Sequence, residues 1–308
     1  MEDHVNRVTW ITMNLIPSFF ILIMKKIWRT TLKIIVLLLI VWIIAAQSCN
    51  EMRVDDKTAT ENFKKDGIVL SIHNEKINGK TLHYVSTGSD TLPVLVFVHG
   101  SPGSWNAFEN YLKDSELLRR FYIISIDRPG FGYSDYGDAQ HMNRQAEIIS
   151  PLLHKLKNNK QMFIVGHSLG GPLIVELACR NPGLIDALVL LAGSVDPLAE
   201  KKEGWRPVIS YSPLRYLVPA FLRPSNDELM YFKKDVLEMP QMLSQVRCRV
   251  FILHGNHDSL VPYFNALYAK EKLVNAASVE LITLQGADHF IPWSNYGDIK
   301  KVLLRLNE

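Results

Sequence analysis

After residue 66 the chain alternates between short apolar runs closed by glycine or a polar residue and longer stretches with apolar residues at helical spacing. "PVLVFVHG" (residues 93–100) is a continuous apolar run ending in glycine. That is the pattern of a strand buried on both faces of a parallel sheet. "YIISID", "QMFIVGH", "ALVLLAG", "CRVFILHG" and "SVELITLQG" repeat it. "WNAFENYLKDSELLRRF" and "GPLIVELACRN" read as helices between strands. Ile148, Ile149, Leu152, Leu153 and Leu156 mark another, which Pro151 is expected to kink. "GIVLSIHN" and "LHYVSTG" predict an opening hairpin, and "YGDIKKVLLRLNE" a closing helix. This alternation predicts an α/β domain, with a mostly parallel central sheet and helices on both faces. One stretch breaks the rhythm. Residues from about 197 to 247 hold six prolines together with Trp205, Tyr211, Tyr216, Phe221, Tyr231 and Phe232. A single crossover does not need that length, so a small, mainly helical cap is expected there.

The N-terminal pattern is of another kind. From Met24 to Cys49 the chain runs basic, then uninterruptedly apolar over the 13 residues Ile34 to Ala46, then small and polar. This is the order of a secretory signal peptide. A membrane span needs about 20 apolar residues, so the run is short for one. "AAQSC" is similar to the cleavage box of bacterial lipoproteins, whose cysteine is lipidated and becomes the first mature residue. Gln47 departs from the commonest box, which has small residues throughout. The resemblance implies lipidation at Cys49 and a membrane-anchored domain of the bacterial cell envelope, outside the cytoplasm. An uncleaved anchor is the alternative. Residues 1–48 are read as leader, with the signal over 24–48 and the reading frame expected to open at Met24. The rival for the upstream stretch, broken by Asn14 and Pro17, is a hairpin of two short spans. Residues 49–66 are polar and charged and read as a tether, leaving 67–308 as the folded domain.

Charge and cysteine usage narrow the classes. The net charge of +3 belongs to the leader, which carries five basic residues against two acidic ones, while residues 49–308 hold 29 of each. No basic stripe is left to bind nucleic acid. The 308 residues, 47% hydrophobic, suffice for one sizeable core. Three cysteines make no disulfide framework, and Cys179 and Cys248 sit in apolar contexts as small hydrophobes. No zinc spacing, Walker loop or dinucleotide loop occurs, so no cofactor or metal is expected.

The chemistry gathers at glycine-rich turns. "GHSLGG" (166–171) follows an apolar run and opens a helix. A serine on so tight a turn takes strained backbone angles, and side chains two before and two after it would collide, so both places want glycine. The turn lifts the hydroxyl of Ser168 above the end of the strand. His167 adjoins Ser168, but consecutive side chains on such a turn point apart. It is expected to pack under the turn rather than to serve as base.

Four motifs together resemble the α/β-hydrolase family, from about residue 80 to 308. "HGSPGS" (99–104) is similar to the oxyanion loop after the third strand, and "DRPGFGYSD" (127–135) to a signature after the fourth. "GHSLGG" is the nucleophile elbow, and "HGNHDSLVP" (254–262) with "GADHF" (286–290) resembles the acid and histidine loops, in the family's chain order. The resemblance implies Ser168 as nucleophile, His289 as base and Asp258 as its orienting acid, with Asp196 the competitor for the acid. It implies oxyanion donors in the backbone N–H groups of Leu169 and of Ser101, since Pro102 has none. His99, His254, His257, Asp127 and Arg128 are expected to support loops, and His73, His83, His141 and His154 to lie on the surface or in packing. A serine at the elbow is expected to set the chain apart from epoxide hydrolases and haloalkane dehalogenases, whose elbow carries aspartate. The aromatic cap suits esters of small to medium lipophilic acyl groups. Aminopeptidase or amidase action and C–C bond hydrolysis are the alternatives, and a non-catalytic ligand binder is a further class.

Overall fold

The computed structural model describes residues 2–48, 53–200, 203–211 and 213–308. These form two units: the N-terminal helix together with residues 216–220, and the rest of the chain. In the first, α1 (Glu2–Ser48) is one continuous helix of 47 residues, not a hairpin. Its segment Phe20–Ser48 is 29 residues long, with a mean hydropathy of 2.2, and is long and apolar enough to cross a membrane. At 1.5 Å per residue it extends about 43 Å, against roughly 30 Å of hydrocarbon. The 13-residue run is thus part of a longer apolar helix, because Phe20–Ile23, Ile27 and Trp28 add apolar surface before it. Cys49 lies outside the described residues.

The larger unit opens with α2 (Asp56–Lys65). The second half of the stretch read as a tether is therefore a helix. Asp55 caps it, accepting from the Thr58 N–H at 3.0 Å. Ala59 and Phe63, four residues apart on one face, are buried, and the Phe63 ring lies 6.1 Å from Trp105. A hairpin of β1 (Ser71–Ile77) and β2 (Lys80–Thr87) follows, then β3 (Val94–Val98). The single helix expected over 105–121 is broken into a 3₁₀ turn, α3 (Glu109–Leu112) and α4 (Ser115–Leu118). Asp114 makes the break: it takes extended angles and accepts the N–H groups of Glu116 and Leu117, so one helix ends and another starts.

The remaining order is β4 (Tyr122–Ile126), α5 (Met142–Leu156), β5 (Met162–His167), α6 (Gly170–Arg180) and β6 (Ala187–Leu191). Then come α7 (Arg206–Tyr211), α8 (Arg223–Asp235) and α9 (Met239–Gln245), the helices of the expected cap, and β7 (Arg249–Gly255). The chain closes with α10 (Phe264–Lys272), β8 (Ser278–Leu284), α11 (Ile291–Ser294) and α12 (Tyr296–Leu304). Helix α5 runs through Pro151 without interruption.

The eight strands form one sheet in the order β1-β2-β4-β3-β5-β6-β7-β8. The first two pairings are antiparallel and the rest parallel. Alternation along β3 divides the core. Val94, Val96 and Val98 join the apolar layer that includes α5 and α6 residues, whereas Leu95 and Phe97 join the layer with Trp105, Phe108 and Ile299. From β3 the chain steps outward to β4 and then returns to the other flank of β3 as β5. Order reverses there, and ligands in open α/β sheets bind at such a point beyond the carboxyl ends of the strands. The loops carrying "HGSPGS" and "GHSLGG" leave those two adjacent strands.

Candidate active site

Ser168 stands directly after β5 with φ +53°, in the left-handed region that side chains rarely adopt. The surroundings allow no glycine of the motif to be replaced. A Cβ on Gly166 would fall 2.4 Å from the Gly170 carbonyl oxygen, and one on Gly170 would fall 2.5 Å from that of Val98. The Ser168 N–H is already bonded to the Leu191 carbonyl at 3.0 Å, which fixes the turn against β6.

The turn brings Ser168 to His289, 121 residues away, with Nε2 at 3.0 Å from Oγ. The other ring nitrogen, Nδ1, is 2.7 Å from Asp258 Oδ2. A carboxylate only accepts, so Nδ1 carries the proton and Nε2 is left to accept from the serine hydroxyl. All three residues are buried. Burial alone would push the Asp258 carboxyl upward. The hydrogen bonds from His254 and His289 and the Val261 N–H outweigh it and hold the carboxyl well below its ordinary range. Its Oδ1 accepts the N–H groups of Leu260 and Val261 at 2.9 and 2.8 Å. Asp258 is therefore ionised and oriented. Asp196 is not in this chain of bonds: its carboxylate accepts the Leu198 N–H.

The neighbouring histidines divide as braces. His254 Nε2 lies 2.8 Å from the Val261 carbonyl and 3.4 Å from Asp258 Oδ2, shaping the acid loop. His257 holds that loop through its backbone N–H, bonded to the Ala287 carbonyl. His167 does more than pack beneath the elbow. Its Nε2 donates to the carbonyl of His289 at 3.1 Å, and its ring lies edge-on to Trp293. It ties the elbow to the histidine loop. His83 bonds Asp127 at 2.8 Å inside the fold, and Asp127 also accepts the N–H groups of Trp105 and Tyr133. His73, His141 and His154 bond to Ser86, Asp235 and Asn181, away from the serine.

The residues expected to supply the oxyanion donors lie in the same cavity wall as Ser168. Gly100 passes so near the serine that a Cβ on it would lie 2.8 Å from Ser168 Cβ. Ser101 follows, and Leu169 precedes α6, whose N-terminal dipole favours negative charge. Among the described residues neither the Ser101 nor the Leu169 N–H meets a protein acceptor. Both residues line a cavity of about 800 Å³ that also holds Ser168, His289, Leu229 and Trp293. The charged residues described in its wall are Glu200, Glu203 and Arg206, the last paired with Glu203 and bonded to Asn226 at 3.0 Å. Among the described residues no cluster of histidine, cysteine or carboxylate side chains is arranged to hold a metal ion. Sequence reasoning missed Gln145 and Glu228, which enclose the Arg128 guanidinium. Both lie in unremarkable helices, and no local motif marks them.

Known proteins resemble this chain in sequence and fold. A sequence model described as the alpha/beta hydrolase fold matches residues 93–217. Epoxide hydrolase 1 of Caenorhabditis elegans is 30% identical over 117 residues, 37% of this chain and 28% of its own length. The chain spans under a third of that relative's length. The 2-hydroxymuconate semialdehyde hydrolase of Pseudomonas sp. (strain CF600) is 29% identical over 216 residues, 64% of this chain and 71% of the relative. Among solved structures, a membrane phospholipase A described as a bacterial virulence factor superposes with a TM-score of 0.57 at 16% identity, covering 90% of this chain and 97% of that one. The chain has the α/β-hydrolase fold and over residues 93–217 resembles the hydrolases built on it.

Proposed function

We propose that the protein is a serine hydrolase that cleaves carboxylic esters of small to medium lipophilic acyl groups through an acyl-enzyme. The observation that carries this reading is the chain of bonds from Asp258 through His289 to Ser168 Oγ, which opens onto the cavity. His289 Nε2 takes the hydroxyl proton as Ser168 Oγ attacks the acyl carbon. Asp258 stabilises the imidazolium and keeps its orientation. The N–H groups of Ser101 and Leu169 receive the oxyanion. His289 then gives its proton to the leaving alcohol. Water, activated by the same imidazole, releases the acid and frees the serine.

The wall chemistry favours a neutral acyl group. Leu169, Leu229, Val261 and Trp293 supply apolar surface, and the Arg206 charge is matched by Glu203, with Glu200 beside them. A second reading, a semialdehyde hydrolase like the Pseudomonas relative, is favoured by the extent of that match. Glu200, a second carboxylate in the wall beside Glu203, disfavours the carboxylate of such a substrate. The N-terminal helix supports action at a membrane, as does the likeness to a membrane phospholipase A.

A fluorophosphonate probe and a graded series of p-nitrophenyl esters, run beside aminoacyl-naphthylamides, test the reading. The wild type should label and turn over the esters. Ser168→Ala should abolish labelling and lower kcat by about 10⁵–10⁶-fold. Folded wild type that neither labels nor hydrolyses esters overturns the proposal, as does labelling that survives Ser168→Ala.

A further inference from the structure

Arg128 is buried, and its guanidinium is surrounded by parts of three separate elements. Nη1 and Nη2 grip both oxygens of Glu228 on α8, the second bond being 3.0 Å. Nη1 also donates to Gln145 Oε1 on α5 at 3.0 Å, and Gln145 returns a bond of 2.8 Å to Glu228 Oε1. Nη2 donates to the carbonyl of Gly100 at 2.9 Å. Glu228 is buried as well. Removing two charges from water is costly, and apolar side chains of similar volume would stabilise a core as well or better. Only a planar, permanently charged fork reaches three acceptors on three elements at once. The arrangement points to a role beyond stability.

The geometry around Gly100 supplies that role. Its carbonyl accepts a second bond, from His99 Nδ1 at 2.7 Å. His99 Nε2 accepts the Arg128 backbone N–H at 3.0 Å, so the proton of this neutral imidazole must sit on Nδ1. Two donors therefore pin one carbonyl oxygen. That oxygen shares a planar peptide unit with the N–H of Ser101, and in a trans unit the two point in opposite directions. The Gly100–Ser101 bond is trans. Holding the carbonyl against Arg128 and His99 turns the Ser101 N–H the opposite way. Gly100 meanwhile lies directly against the nucleophile.

We propose that the Arg128–Glu228 pair is a positioning device: through the Gly100 carbonyl it aims the Ser101 N–H at the oxyanion, and through Glu228 it makes that aim depend on the seating of cap helix α8. The inference rests on Ser168 as nucleophile and Ser101 as oxyanion donor. Leu229, next to Glu228 on α8, lines the cavity. An acyl group packed against Leu229 therefore steadies the helix that carries Glu228, which couples occupancy of the cavity to the readiness of the oxyanion site.

The test compares full-length wild type, Arg128→Lys and Glu228→Gln on p-nitrophenyl acetate and hexanoate, with a trifluoromethyl ketone as inhibitor and thermal melting as the check of folding. Arg128→Lys keeps the charge and loses the fork. It should lower kcat about 100-fold on both esters with KM changed by less than about threefold. Inhibition by the ketone, whose serine adduct is an oxyanion, should weaken by the same factor. Glu228→Gln should lower kcat about tenfold, with ketone inhibition falling in parallel. A role confined to holding the cap wall would raise KM for the hexanoate and leave the acetate untouched, and that result overturns the proposal. If Arg128→Lys does not fold, unchanged kcat and unchanged ketone inhibition in Glu228→Gln overturn it instead. An active wild type with indifferent variants refutes the positioning role alone. A wild type that neither hydrolyses esters nor labels refutes the serine-hydrolase reading, and the positioning role with it.

Discussion

A neutral imidazole buried beside the nucleophile leaves a mark on stability. Burial, followed by the proximity of His289, pulls the pKa of His167 down to about 3. In the unfolded chain the group titrates near the ordinary value of about 6.5. Above that value neither state binds the proton and nothing is lost. Between about pH 6.5 and 3 the unfolded chain takes up a proton that the native state refuses, so stability declines as pH falls through this window. One such group contributes a slope of about 1.4 kcal/mol per pH unit. His99, buried and next to the Arg128 charge, shifts the same way. His167→Asn keeps a donor for the His289 carbonyl but has no proton to gain. Urea titrations between pH 5.5 and 4 should show its stability falling less steeply than the wild type, by about 1.4 kcal/mol per pH unit. An unchanged slope would show that His167 is not the group excluded from protonation. Ser168 was legible locally because its strained turn demands glycine on both sides. The target of His167 was not legible, because the His289 carbonyl arrives from 122 residues away.

Among the elements, α2 carries a sharp consequence. It contributes Ala59 and Phe63 to the core, and Lys113 Nζ lies 4.6 Å from the centre of the Phe63 ring. Phe63→Ala should destabilise the folded domain by about 3–5 kcal/mol, as for other buried aromatic truncations, measurable by urea unfolding. A loss below about 1 kcal/mol would show that the helix is dispensable and the stretch a tether after all. The strands of the parallel sheet were readable because burial on both faces leaves unbroken apolar runs. Helix α2 was not, since two apolar residues in a charged stretch of ten give too weak a periodic signal. The split between α3 and α4 was hidden for a related reason. Asp114 can sit in a helix or cap one, and its backbone angles decide.

At the scale of the whole molecule the open prediction concerns the N-terminus. The lipoprotein reading expects a mature chain that begins at a lipid-bearing Cys49, and α1 offers the alternative of an uncleaved anchor. Intact mass of the membrane fraction separates them. The wild type should be shorter by the leader and heavier by its lipid, and Cys49→Ser should revert to the unprocessed mass. Two masses that differ only by the exchange of sulfur for oxygen would remove lipid attachment and leave the anchor. The sequence by itself determined the α/β alternation and the elbow with its serine, whereas the acid and histidine were named only through the family resemblance. The alternation and the elbow are set by local demands on backbone angle, side-chain size or burial period. Tertiary structure decided which distant groups meet: Asp258 rather than Asp196 at His289, His167 on the histidine loop, and Arg128 between Gly100 and Glu228. Those pairings depend on where the strand order reverses and how the cap helices settle, and no short stretch of sequence encodes either.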